Sequence, residues 1–495
     1  MAATAIVLPP TTPPDYHRIV SPTLAVPSDP NVSIPVGLLA CQRDPLLKET
    51  TTTVVSARLV QAAPQPKRAK KNKAAASTEP LVEVVLHDTV IFPEGGGQPS
   101  DIGVLTSSDG QLWDVREAKR TGGHAVHYVK VGERGADAAL SAFAVGSTVG
   151  VALGEAGYYR RLDHMCMHTS QHLLSAVLEN THKLDTLSWS LTEYPTPSYV
   201  EIPRALSPEE IAAVQAECNR YVFEGRKVHI EVEELDTEFH QGYKPASVGI
   251  PLDYAGGVKR VVIIDGLDRN PCCGTHAPTL HNLQLFLLPT TENLARANSS
   301  SARLYFLSGP RLITHLTSTH SYLAQTAKTL NAGAPQVPER VQQVIDERKR
   351  MTGRAEDVEK ELACLLAREL VKEKTDESDA IVAYKHRIDD TPNALGFLTA
   401  IATAFVNELA TMPSPPKSYL VVFSSSPSSQ TTSSQTVVML FGSDEKKVKE
   451  VGDGLRSKLS VKGGGKGQKW SGKFTGVWLD GREGVHVREL LEFSA

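Results

Sequence analysis

The chain is poor in cysteine, with six in 495 residues: Cys41, Cys166, Cys218, Cys272, Cys273 and Cys364. Their irregular spacing excludes a disulfide-stapled scaffold and predicts reduced thiols and a cytoplasmic setting. No run of about 18 apolar residues occurs, so no membrane partner is expected, and no signal peptide opens the chain. The first fifteen residues lack arginine, which argues against a transit peptide. Charge of one sign is scarce too: 52 Lys and Arg stand against 56 Asp and Glu, a formal net charge of -4. Any nucleic-acid partner must therefore meet a local basic patch rather than a basic protein. Neither a Ser/His/Asp arrangement nor paired carboxylates stand out, and Gly95-Gly96-Gly97-Gln98 lacks the Lys-Ser/Thr that would make it a phosphate-binding P-loop.

What the chain does have centres on Arg160 to Asn180. His168 and His172 lie four residues apart, and Leu173, Leu174, Ala176, Val177 and Leu178 recur at helical spacing, predicting a half-buried helix that braces two imidazoles on one face. A zinc site needs about four N or S ligands. Cys272 and His276 repeat the four-residue spacing in Asn270-Pro-Cys-Cys-Gly-Thr-His276. One thiolate and three imidazoles make either a closed structural zinc site or a catalytic one that can loosen a ligand. His164, one turn before His168, and Cys273 are read as neighbours of the site or as packing, and Pro271 and Gly274 as exposed residues shaping the turn.

These motifs resemble the editing domain of alanyl-tRNA synthetases, which is shared with threonyl-tRNA synthetases and with freestanding alanyl-tRNA editing proteins, the AlaX group. Phe92-Pro-Glu-Gly-Gly-Gly-Gln-Pro-Ser-Asp-Ile-Gly103 is similar to that family's glycine-rich motif, and Ala40-Cys-Gln-Arg-Asp44 with Thr51-Thr-Thr-Val-Val-Ser56 to the start of its long freestanding form. The resemblance covers residues 38 to 320 and, more loosely, the rest. Two positions depart from the synthetase pattern: Cys273 replaces Gly, which the long freestanding type tolerates, and Gln171 replaces Thr.

The resemblance implies one zinc per chain and a mischarged tRNA(Ala) as partner, with Ser-tRNA(Ala), and by extension Gly-tRNA(Ala), hydrolysed in trans, since only a short leader stands where a synthetase carries its aminoacylation domains. It places Gly95, Gly96 and Gly97 beside the pocket, with Gln98 and Asp101 as the loop's polar members. Gln98, Thr169, Gln171 and Thr275 are the candidates for substrate contact, and a site with polar groups waiting for a hydroxyl would spare correctly charged alanine. The rival readings are a zinc-stabilised tRNA-binding module without catalysis and a structural interaction protein.

The expected fold class is α+β. Residues 1–35, rich in proline, are read as a disordered leader. A small β-barrel with the glycine-rich loop follows over 36–155, with a disordered insertion at 61–80 whose Lys67 to Lys73 run reads as a solvated loop or a nuclear signal. The editing domain spans 156–320. A helical connector follows at 321–375, where Val341, Val344, Met351, Ala355, Val358, Leu362 and Leu365 form a coiled-coil-like seam over 338–374, suited to self-association or to packing within the chain. A small α/β domain over 376–495 ends the chain. In its glycine-rich tail, Lys462, Lys466, Lys469 and Lys473 with Trp470 read either as a flexible loop or as a contact for tRNA phosphates, and the resemblance favours tRNA.

Overall fold

The computed structural model describes residues 11–60, 80–235, 258–296, 299–373 and 379–494. The Lys67 to Lys73 run lies outside them. The fold is mixed α+β, in two compact units, Met1–Leu323 and Ala324–Ala495. Among the described residues no helix is long and apolar enough to cross a membrane.

In the first unit, six strands close a barrel in the order Glu49–Leu59, Leu81–Leu86, His124–Lys130, Leu112–Thr121, Gly103–Thr106 and Thr148–Ala152. Alternation builds it: Val82, Val84 and Leu86 point inward between partly exposed neighbours, as a two-residue period requires. The barrel hands the chain to the helix Gly154–His182. Every residue of that helix from Arg161 to Leu178 is buried, so it runs through the unit's centre instead of lying half in water as its periodicity suggested. Its polar residues are tolerated inside because they are paired. Arg161 forms a buried ion pair with Asp101 and donates to Val90 O at 2.6 Å, and Arg311 pairs with Asp163 at 2.6 Å.

Two sheets flank this helix. One runs His17–Ile19, Val228–Glu234, Val258–Ile264, Asp268–Pro271; the other runs Phe286–Leu287, Ser299–Ser308, Ser198–Ile202, Ser188–Ser190, with Thr291–Arg296 paired to Ser299–Ser308. The disordered leader is corrected here for residues 11–35. His17–Ile19 pairs in parallel with Ile230–Val232, and Tyr16 and Ile34 are core residues. The prolines hid this because a short strand at a sheet edge tolerates prolines on either side of it. Residues 1–10 lie outside the described ones.

In the second unit, the 37-residue helix Val337–Glu373 buries Ala363, Ala367, Leu370 and Val371 near its end, whereas Val341, Val344, Met351, Val358, Leu362 and Leu365 are exposed. A five-stranded sheet follows in the order Ala380–Ile388, Ser418–Ser426, Gln435–Gly442, Lys469–Thr475, Lys462–Lys466. The end of the long helix and the helix Ala394–Ala410 pack with one cluster of its side chains, and the helices Glu445–Leu459 and Val485–Ser494 with the other. The glycine-rich tail is therefore an ordered hairpin and not a loose loop. Trp470 is buried beneath it, against Gly452, and offers no aromatic face to a ligand.

Candidate metal centre and its cleft

His168, His172, Cys272 and His276 come together in the first unit, all buried, with their ligand atoms within 4.8 Å of one another. Cys272 Sγ lies 3.3 Å from His168 Nε2 and 3.4 Å from His276 Nε2. A tetrahedral zinc with bonds of about 2.0 to 2.3 Å sets its ligands roughly 3.3 to 3.8 Å apart, so the donor set fits one such ion with small adjustments.

Each imidazole is held by its other nitrogen. Gln98 Oε1 accepts from His168 Nδ1 at 2.9 Å, Asp268 Oδ2 lies 2.7 Å from His172 Nδ1, and Thr169 Oγ1 lies 3.4 Å from His276 Nδ1. Such partners fix tautomer and ring orientation, leaving every Nε2 for the cluster. Local chain geometry sets the rest: Asp268–Pro271 pairs with Val258–Ile264, and Cys272 N extends that ladder by donating to Arg260 O at 3.0 Å. Gly274 is buried rather than exposed, because a Cβ there would lie 2.2 Å from the His168 ring.

The electrostatics match a cation site. Burial alone would push the Cys272 thiol up, but the charges of His168 and His276 and hydrogen bonds from His168 and His172 outweigh it and hold the thiol well below its ordinary range. Burial, then the His168 charge, holds His276 well below the usual imidazole value. For His172 burial works downward, but hydrogen bonds with Asp268 and Cys272 prevail and push it up to about 10. His164 stays outside the cluster; burial, then Arg160 and Arg311, pushes it down to about 3. Cys273 also stays outside, its thiol pushed up to about 11 by burial and then by the Cys272 charge.

The cluster opens into a cleft of about 930 Å³ whose wall includes His172 and Cys272, with Gly95, Gly96, Gly97, Gln171, Trp189 and Cys273 around them. The three glycines thus line the cleft beside the cluster. Gly95 and Gln98 exchange backbone hydrogen bonds at 3.2 and 3.0 Å around Gly96 and Gly97, whose φ values are +57° and +70°. That is the two-residue hairpin turn that needs two left-handed residues. Trp189 forbids any side chain at Gly97, since a Cβ would lie 2.1 Å from its ring.

Of the four residues expected to meet substrate, only Gln171 reaches the cleft wall. Gln98, Thr169 and Thr275 are fully buried and engaged. Gln98 Nε2 donates to Thr275 Oγ1 at 2.8 Å, and Thr169 Oγ1 donates to Met165 O at 2.8 Å and accepts from Ala277 N at 3.0 Å. Gln98 and Thr169 lie against the imidazoles of His168 and His276, and Thr275 holds Gln98. Asp101 is likewise no pocket residue: its carboxylate holds Arg161 and accepts from Phe92 N at 2.8 Å. The structure also brings in Asp268, Arg260, Gln42 and Trp189, which sequence reasoning missed. The four tail lysines lie in the second unit, all exposed.

No family model matches the chain. Curated relatives do. The alanyl-tRNA editing protein alaX of Saccharomyces cerevisiae is 31% identical over 360 residues, covering 69% of this chain and 73% of that protein. The alanyl-tRNA editing protein Aarsd1 of Bos taurus is 30% identical over 330 residues, covering 67% and 68%. The alanine--tRNA ligase of Thermococcus kodakarensis is 30% identical over 291 residues, covering 58% of this chain and 30% of the ligase. With two such relatives matched over more than two thirds of their length, and a buried His/His/Cys/His cluster beside a glycine-rich hairpin, the chain belongs to the family of alanyl-tRNA editing proteins.

Proposed function

We propose that the protein is a trans-acting, zinc-dependent hydrolase that deacylates Ser-tRNA(Ala), and Gly-tRNA(Ala) as a second substrate, in the cytoplasm. The observation that carries this reading is that two of the four cluster residues, His172 and Cys272, line a cleft large enough for an aminoacylated nucleoside. A purely structural zinc site has no need of such an opening. Zinc bound there would supply a Lewis acid for the ester carbonyl or a source of hydroxide near neutral pH. The chain's own residues do the positioning: Gln98, Asp268 and Thr169 hold the three imidazoles, and the glycine hairpin lets backbone approach the ester.

Gln171 is our candidate for reading the serine hydroxyl. Its Nε2 donates to Ser175 Oγ at 3.0 Å, Thr186 Oγ1 donates to that same oxygen at 2.8 Å, and its carbonyl oxygen has no partner among the described residues. An acceptor anchored in this way rewards a hydroxyl and is left unpaired by alanine.

The domain division of 36–155, 156–320, 321–375 and 376–495 is kept as a working proposal, with the start moved into the former leader. The tail lysines are proposed to contact tRNA phosphates. Lys462 faces Lys473 and Lys466 faces Lys469 across the hairpin, and among the described residues none of the four has an ion-pair partner. Like charges opposed on one face are unfavourable until an anion joins them. The exposed seam of the Val337–Glu373 helix is the proposed surface for self-association.

The deciding experiment measures release of amino acid from purified Ser-tRNA(Ala) and Ala-tRNA(Ala), with zinc content determined on the same preparation. Rapid release from the seryl ester alone supports the reading. Intact, zinc-loaded protein that binds tRNA but hydrolyses neither ester would leave a tRNA-binding module.

A further inference from the structure

Two side-chain amides line the cleft, Gln171 and Asn270, and each is tied back by its nitrogen. Gln171 Nε2 donates to Ser175 Oγ at 3.0 Å, and Asn270 Nδ2 donates to Asp268 Oδ1. The second bond settles which way the Asn270 amide faces. A carboxylate only accepts, so the nitrogen must turn to Asp268 and the oxygen away from it. That oxygen has no partner among the described residues, and Asn270 is exposed where the Asp268 side chain is almost fully buried. Asn270 therefore offers the cleft an acceptor that Asp268 cannot offer itself.

The strand accounts for this placement. Asp268 and Asn270 are two apart on Asp268–Pro271, so their side chains share one face, and Asp268 Oδ2 meets His172 Nδ1 at 2.7 Å. One carboxylate thus touches a cluster imidazole with one oxygen and the Asn270 amide with the other. Gln171 precedes His172 in the chain, so both amides stand one link from the same cluster residue.

The two amides differ in what backs them. Behind Gln171 stands a neutral hydroxyl, and behind Asn270 a carboxylate. A carboxylate that accepts from an amide N–H polarises the amide and makes its oxygen a stronger acceptor, and its charge favours a cation nearby. An unblocked seryl ester brings two donors of matching kinds, a neutral hydroxyl and an α-ammonium. The carboxylates that line the cleft are less well placed. Glu179 lies seven residues beyond His172 on the same helix, about 10 Å along its axis, and Glu94 is bridged through its backbone to Lys119, which also lines the cleft.

We propose that Asn270 Oδ1 receives the α-ammonium of the aminoacyl ester while Gln171 reads the hydroxyl, so that the cleft accepts esters with a free amino group and disfavours N-acylated ones. The proposal takes its substrate from the hydrolase reading. N-acylation removes the positive charge and leaves one N–H in place of three.

The test measures binding without turnover, using 3′-serylamino-3′-deoxyadenosine, in which an amide replaces the ester, and its N-acetyl derivative. Zinc-loaded wild type should bind the free amine about 10- to 100-fold more tightly, the range of one charge-assisted hydrogen bond. Asn270→Ala should bring that ratio within about threefold while keeping the preference for the seryl over the alanyl analogue, and Gln171→Ala should do the reverse. Should Asn270→Ala lose zinc, Asn270→Ser decides in its place, because its hydroxyl restores a donor to Asp268 without restoring the amide oxygen. Equal binding of the two analogues by wild type, binding of neither, or a ratio that persists in a folded, zinc-loaded Asn270 variant would overturn the ammonium site. Release of serine from Ser-tRNA(Ala) is followed on the same preparations. A protein that hydrolyses the ester yet shows no preference for the free amine keeps the hydrolase and loses the site, whereas one that prefers the free amine but releases no serine keeps the site and loses the hydrolase.

Discussion

Asp268 Oδ2 lies 2.7 Å from His172 Nδ1, and both side chains are almost fully buried. The carboxylate belongs to a strand that leads straight into Cys272, so one segment supplies a cluster thiol and the group that orients a cluster imidazole. Asp268→Asn keeps the shape but replaces the negative charge. It should weaken zinc binding by about 10- to 100-fold, the usual cost of losing such a partner, and leave the fold intact. Competition for zinc against a chelator of known affinity reads this directly, and an unchanged affinity would mean that the Cys272 environment alone orients His172.

His168→Ala, His172→Ala, Cys272→Ala and His276→Ala should each lose bound zinc and hydrolysis, while His164→Ala and Cys273→Ala retain at least part of both. The assignment rests on which residues converge, and His164 and Cys273 do not join them. Zinc analysis of the six variants decides it. If Cys273→Ala emptied the site while Cys272→Ala kept its zinc, the thiol would be misassigned.

Much of this site was legible in the sequence because its chemistry is locally spaced. Two four-residue spacings named all four members of the cluster, and the family resemblance set the three glycines beside them. Their supports were not legible. Asp268 acts on a residue 96 positions away and Gln42 on one 231 positions away, and no local pattern marks such a partner. Residues 11–35 failed for another reason, since the prolines flanking a three-residue strand look like disorder until the sheet they join is known. Trp470 read as an exposed aromatic among lysines, but alternation along a strand sends lysine outward and tryptophan inward.

Acid should destabilise the first unit in a defined window. Burial pushes His127 from 6.5 down to about 4, with its two ring nitrogens placed against Val84 O and Thr89 Oγ1. A depressed folded value means that the unfolded chain takes up the proton first. The stabilisation is thus complete above about pH 6.5 and is lost as pH falls toward 4, to a limit of roughly 3 kcal/mol. Denaturant melts of wild type and His127→Gln between pH 4 and 8 should converge as pH falls. Parallel curves would show that His127 does not set the acid limit.

The last prediction concerns the second unit, where Lys462, Lys466, Lys469 and Lys473 lie four apart along each strand and opposite one another between strands, which puts all four on one face of the hairpin. Trp470 and Gly472 turn the other way and are buried, so neutralising the lysines should leave the core untouched. If this face follows tRNA phosphates, each contact releases counterions, and log Kd should rise with log salt in proportion to the contacts made. Replacing all four lysines with glutamine should weaken tRNA binding and flatten that slope by two to four contacts' worth, about 0.7 to 0.9 per phosphate, with the melting temperature unchanged or slightly raised by the relief of repulsion. Hydrolysis of saturating Ser-tRNA(Ala) should keep its kcat, because the cleft proposed to take the reacting ester lies in the first unit. A salt slope equal to that of wild type would remove tRNA from this hairpin and leave the lysines as a solvated face.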